Sequence, residues 1–129
     1  MLPIQRIHHV ASIVGNYDVS KHFYTKVLGF QIVQEIYREE RQSYKLDLSV
    51  NGHYQIELFS FPEPPQRPSR PEARGLRHLA FEVFDVEATR EMLLEKGVIC
   101  EAIRIDEFTG KEFFFIEDPD GLPLEFYEA

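Results

Sequence analysis

The order of motifs in the first half of this chain recurs in the second, and that repeat restricts the fold more than any other feature. His9 stands 20 residues before Gly29 and 48 before Glu57, while His78 stands 19 before Gly97 and 47 before Glu125. Periodicity gives both halves one element order: strand, helix, strand, strand, strand. In the first half, residues 4–14 alternate as a strand, and residues 16–28 carry Val19, Phe23, Val27 and Leu28 at helical spacing. Asn16, Asp18 and Ser20 are candidate caps for that helix and Gly29 its stop. Strand-like runs follow at 30–37, 44–50 and 54–61, with Asn51-Gly52 as a hairpin signal between the last two. In the second half, 76–84 alternates as a strand, and 86–96 reads as a helix with Ala88, Met92 and Leu93 at helical spacing and Gly97 as its stop. Residues 98–105, 112–116 and 122–127 read as strands, and Asp118-Pro119-Asp120-Gly121 makes a turn before the last.

A stretch holding five of the 8 prolines, between Pro62 and Pro71, separates the halves and reads as a stiff extended connector. At 129 residues the chain suits one domain of ordinary size. The expected organisation is therefore a single domain over 1–129, with module 1 at 4–61, the connector at 62–75 and module 2 at 76–129. The net charge of −8 argues against nucleic acid or an anionic membrane as partner. Apolar runs fall short of the roughly 18 residues a spanning helix needs, and no secretory signal is visible. One cysteine, Cys100, cannot form an internal disulfide and fits a reducing cytoplasm. Its surroundings in sequence suggest a small packed residue rather than a nucleophile, since no His lies nearby.

Strand alternation then selects a set of polar side chains. Val10 and Val14, Ile56 and Leu58, Leu79, Phe81 and Val83, and Leu124 and Phe126 take the helix-covered faces. His9, Glu57, His78 and Glu125 fall on the opposite faces and can point into one concavity. His8 competes with His9 but shares the face of Val10. His22 lies in the helix and His53 in a turn. Two imidazoles and two carboxylates suit a borderline divalent ion, Ni, Zn, Co or Mn, with positions left for water or substrate. Arg67, Arg70, Arg74 and Arg77 read as either an anion-recognising flap or, in preference, a solvated connector. Of Phe113, Phe114 and Phe115, at least one must face the concavity, and Phe114 or a neighbour is expected to line it.

FYTKVLGF at 23–30, RHLAFEV at 77–83 and EDPDGLPLEFYE at 117–128 resemble the vicinal oxygen chelate superfamily, with glyoxalase I-like members most similar. The resemblance spans nearly the whole chain. It implies an α+β fold in which two βαβββ modules form a curved mixed sheet around a central metal cleft. It also implies metal ligands at His9, Glu57, His78 and Glu125, the set that alternation selects, and a homodimer. Glu57 in the extra ligand position resembles glyoxalase I more than three-ligand dioxygenases or fosfomycin-resistance enzymes.

The implied activity is that of a metal-dependent lyase or isomerase acting on a small molecule with adjacent oxygens. The cation would acidify a C–H beside a carbonyl, Glu125 or Glu57 would take the proton, and its return to the neighbouring carbon through an enediolate gives the isomer. In glyoxalase I the substrate is the hemithioacetal of methylglyoxal and glutathione. Here Ser12 replaces an aliphatic residue, and Leu58-Phe59-Ser60-Phe61 lacks the Asn or Thr that glyoxalase I uses near glutathione, so the thiol co-substrate stays open. The alternatives are a CoA-ester epimerase or other enzyme of the superfamily, or a binding protein without turnover.

Overall fold

The computed structural model describes residues 1–129 and divides into two compact units, Met1–Gln66 and Arg67–Ala129, with the boundary inside the proline-rich stretch. Each unit is built on one four-stranded mixed sheet with few helices, an α+β arrangement.

In the first unit the strands are β1 (Val10–Val14), β2 (Gln31–Arg38), β3 (Ser43–Val50) and β4 (His53–Ser60), ordered β1-β4-β3-β2. β1 runs parallel to β4, and β3 is antiparallel to both β4 and β2. A parallel neighbour cannot be reached by a tight turn, so the chain crosses over between β1 and β2 through helix α1 (Tyr17–His22). The Asn16 side chain accepts a hydrogen bond from the Val19 backbone N–H at 3.1 Å, which starts the helix. The helix then widens into one π-helical turn, Phe23–Val27, where Leu28 N–H reaches Phe23 O at 3.0 Å. Gly29 follows at φ +80°, a left-handed conformation that side chains resist, so the helix ends there. Asn51 and Gly52 both have positive φ, 49° and 81°, as a two-residue hairpin turn requires.

The second unit repeats this with β5 (Leu79–Val83), helix α2 (Val86–Glu95), β6 (Arg104–Ile105), β7 (Glu112–Glu117) and β8 (Pro123–Glu128), ordered β5-β8-β7-β6. β5 is parallel to β8, and Asp85 caps α2 by accepting from Ala88 N–H at 2.9 Å, as Asn16 does for α1. Asp118 is buried and accepts from the backbone N–H groups of Asp120 and Leu122, each at 2.9 Å. Those two bonds set the turn that aims β8.

Alternation sorts the side chains. Leu46, Leu48, Ile56 and Leu58 are buried with Val14, Phe23 and Tyr24 in the first unit, and Leu93, Phe114, Ile116, Leu122, Leu124 and Phe126 are buried in the second. Several expectations need correction. The first strand begins at Val10, not residue 4, because ladder partners on β4 exist only for Val10–Val14. The strand expected at 76–84 shortens to Leu79–Val83. The strand expected at 98–105 shrinks to Arg104–Ile105, because Glu101 takes other partners: its N–H bonds Phe115 O, and its carbonyl accepts from Arg90 Nε. Phe114 does not line the polar face. It is 0% exposed and stacks on Phe126 at 5.1 Å in the core, which leaves Phe113 and Phe115 on the other side.

α1 is tied to β2 by ionic contacts. Lys21 Nζ bonds Glu35 Oε2 at 2.7 Å, and the Tyr17 hydroxyl donates to the same oxygen. Lys21 first and Tyr17 second hold the Glu35 carboxyl below its ordinary 4.5. A lowered folded-state value means that this stabilisation is complete above pH 4.5 and fades as pH falls through the lower value. In thermal melts the wild type is expected to exceed Glu35→Gln in Tm near neutral pH. The gap should narrow as pH falls below 4.5 and close once the carboxyl is protonated in both states.

Candidate metal-binding half-sites

Glu57 sits in the middle of β4, opposite Ala11 of β1 on one side and Asp47 of β3 on the other. Its flanking residues Ile56 and Leu58 point into the core, so its carboxylate stands on the other face, yet it is only 7% exposed. A carboxylate taken this far out of water needs donors. Three groups answer that need. The Tyr54 hydroxyl donates to Oε2, His9 Nε2 lies 3.5 Å from Oε2, and Lys45 Nζ lies 3.8 Å from it. Lys45 also bonds Asp47 Oδ1 at 2.6 Å, so one ammonium serves two buried carboxylates. Burial, the bond to Glu57 and the charge of Asp47 together push the Tyr54 hydroxyl well above its ordinary 10, which keeps it a donor.

His9 precedes β1 by one residue and is exposed. Its Nδ1 lies 2.8 Å from Nδ1 of His8, and both rings pack near Tyr54, at centroid distances of 6.0 Å and 5.5 Å. His22 and His53 are exposed and make no such approach to Glu57.

The second unit carries the matching pair. Glu125 lies on β8 opposite Ala80 of β5 and Phe115 of β7, as Glu57 lies opposite Ala11 and Asp47. His78 precedes β5 by one residue, as His9 precedes β1. The His78 ring meets Phe115 edge-on at 5.1 Å, and its Nδ1 is buried without a hydrogen-bond partner. Glu125 is half-buried, and its carboxylate makes no hydrogen bond or ion pair. An imidazole nitrogen withheld from water and a free carboxylate, repeating the His9/Glu57 pair, fit a borderline divalent cation. Neither unit alone gathers three or more His, Cys, Asp or Glu side chains around one point.

Sequence reasoning passed over Tyr54, Lys45 and Asp47. Asp47 had a signal: it interrupts Leu46 and Leu48 at the position paired with Glu57. Of the connector arginines, Arg67 donates to Ser69 Oγ at 2.7 Å and Leu76 O at 2.6 Å, and Arg70 approaches Glu117 at 3.8 Å. Arg67 thus braces its own loop. Cys100 is half-buried, and burial pushes its thiol above the ordinary 9.0, with Arg90 opposing, which disfavours the thiolate.

Two repeats of one sheet topology, each with a His just before its first strand and a Glu on its fourth, define a duplicated βαβββ protein. The chain belongs to the Glyoxalase/Bleomycin resistance protein/Dioxygenase superfamily, whose model matches residues 6–126. It is 58% identical over 128 residues to the uncharacterized protein YaeR of Escherichia coli K12, covering 99% of each chain. It is 60% identical over 125 residues to the uncharacterized protein YwkD of Bacillus subtilis 168, covering 97% of this chain and 98% of that one. Among solved structures, the glyoxalase family protein from Enterococcus faecalis is 46% identical with a TM-score of 0.90, covering 98% of this chain and 100% of that one.

Tyr54→Phe removes the hydroxyl from a buried Glu57 oxygen. Stability in urea unfolding is expected to fall by about 1–3 kcal/mol, the range for a buried acceptor left unpaired.

Proposed function

We propose that the protein is a metal-dependent lyase or isomerase of the glyoxalase I type, moving a proton within a small substrate that carries two adjacent oxygens. The observation that carries this reading is the matched His/Glu pair in each unit. Glu57 and Glu125 occupy the same ladder position beside Ala11 and Ala80, each with a His one residue before the paired strand. His9, Glu57, His78 and Glu125 are assigned as ligands of one divalent ion, Ni, Zn, Co or Mn, supplied by one chain or by two chains of a homodimer. When bound, such an ion polarises a carbonyl and offsets the charge that develops on its oxygen.

The protein groups divide the remaining work. Glu57 is held by Tyr54, His9 and Lys45 and suits a fixed ligand. Glu125 has no such restraint, so it is assigned as the base. It takes the proton from the carbon beside the carbonyl and returns it to the neighbouring carbon, so the product is an isomer of the substrate. Phe113 and Phe115, on the same side of the second sheet as Glu125, limit water around that carboxylate. The hemithioacetal of methylglyoxal and glutathione is the first substrate to test.

Tag-free protein is expected to retain one divalent ion per ligand set by elemental analysis and to lose it on Glu57→Ala. With nickel, cobalt or zinc restored, Glu125→Gln is expected to lower kcat by roughly 10²- to 10⁴-fold, the usual contribution of a positioned base. Metal binding without hemithioacetal turnover would redirect the substrate towards a CoA ester. Protein that binds no divalent ion under any loading condition would end this reading.

A further inference from the structure

The same face of the first sheet continues past Glu57 into a second polar feature that metal chemistry does not use. Phe59 and Phe61 lie two and four residues beyond Glu57, about 7 and 13 Å along an extended chain. Their rings stack with an interplanar angle of 9°. Arg38, at the end of β2, places its guanidinium carbon 4.9 Å from the Phe59 centroid and 5.7 Å from that of Phe61. Its Nη2 donates to Ser43 Oγ at 2.8 Å, and Ser43 is itself fully buried. Arg41, across the short 3₁₀ turn Glu39–Arg41, lies 5.4 Å from the Phe61 centroid.

Neither arginine has a carboxylate partner, although the chain holds 22 acidic residues against 14 basic ones. Arg38 Nε is buried and bonds nothing. Two unpaired guanidinium groups beside one ring repel each other. A buried N–H without an acceptor costs about 1–3 kcal/mol. An oxyanion relieves both, because a guanidinium fork offers Nε and an Nη in the plane that a carboxylate or phosphate accepts.

We propose that Arg38 and Arg41, backed by Phe59, Phe61 and Ser43, form an oxyanion subsite, and that the substrate of the Glu57 site carries a carboxylate or phosphate about 10 Å from its reacting carbon. The distance and the link to a substrate rest on the function proposed above. The subsite itself does not, so its test is run without metal.

Metal-free, chelator-treated protein is titrated at low ionic strength with inorganic phosphate and, separately, with acetate, while NMR follows the Arg38 side-chain Nε–H signal and the backbone amide of Ser43, the latter serving also for the Arg38→Lys variant. At least one anion is expected to shift that signal saturably. Tighter phosphate binding identifies a phosphoryl group, and tighter acetate binding a carboxylate. Arg41→Met and Arg38→Lys, each checked for native circular dichroism, are expected to weaken binding by about tenfold, one charge-assisted bond's worth. Arg38→Lys keeps the charge but removes the fork, so it reports on geometry. The proposal is overturned if neither anion saturates, or if both variants bind as the wild type does. Metal content of the untreated protein is measured in parallel, so loss of the His/Glu reading and loss of the oxyanion subsite are seen separately.

Discussion

The parallel pairing of the first strand with the fourth in each unit is the constraint from which the rest follows. A parallel neighbour requires a long connection, and the chain uses it to insert a helix and two further strands. Residues 47 or 48 positions apart in sequence thereby become neighbours in space. Glu57 comes to lie beside β1 and Glu125 beside β5, each with a His at the strand entrance. Because directly opposed residues share a face, the pairing also sets which side each carboxylate takes. Had either parallel ladder slipped by one residue, Leu58 or Phe126 would stand where Glu57 or Glu125 stands.

Much of this was legible in the residues. The offsets from His9 to Glu57 and from His78 to Glu125 exposed the repeat, and alternation around Leu46, Leu48, Ile56 and Leu58 separated core from polar face. Element ends were less legible, because they depend on partners distant in sequence. Residues 4–9 alternate as well as Val10–Val14 do, but only the latter have ladder partners on β4. Residues 98–103 look equally strand-like, yet a side chain on α2 takes the Glu101 carbonyl. Which of Phe113, Phe114 and Phe115 faces away from the core stayed open, because three consecutive aromatics carry no phase of their own. The pairing of Phe115 with Glu125 supplies it.

The surroundings of Glu57 were the least visible part. Lys45 and Asp47 look in sequence like ordinary strand charges, and Tyr54 like ordinary packing. Pairing across β3 and β4 makes them one cluster with His9, in which every buried charge has an opposite neighbour. By contrast, in the second unit Glu125 pairs across the ladder with Phe115, whose ring meets His78, and has no ion pair. The two halves share a backbone plan but give their carboxylates different company. Duplicated modules can give one glutamate hydrogen-bonding partners and leave the other without them in this way.

β2 ends its sheet, so one side of its backbone has no strand beside it. Ile32, Val33, Ile36 and Tyr37 are exposed along it. An open edge of eight residues, four of them apolar, forms a template onto which another extended chain can add. Glu35 is the one carboxylate in that strand, and acid that neutralises it removes the negative charge guarding the edge. Self-association through β2 is therefore the hazard this architecture carries into strongly acidic surroundings, below the ordinary carboxylate range.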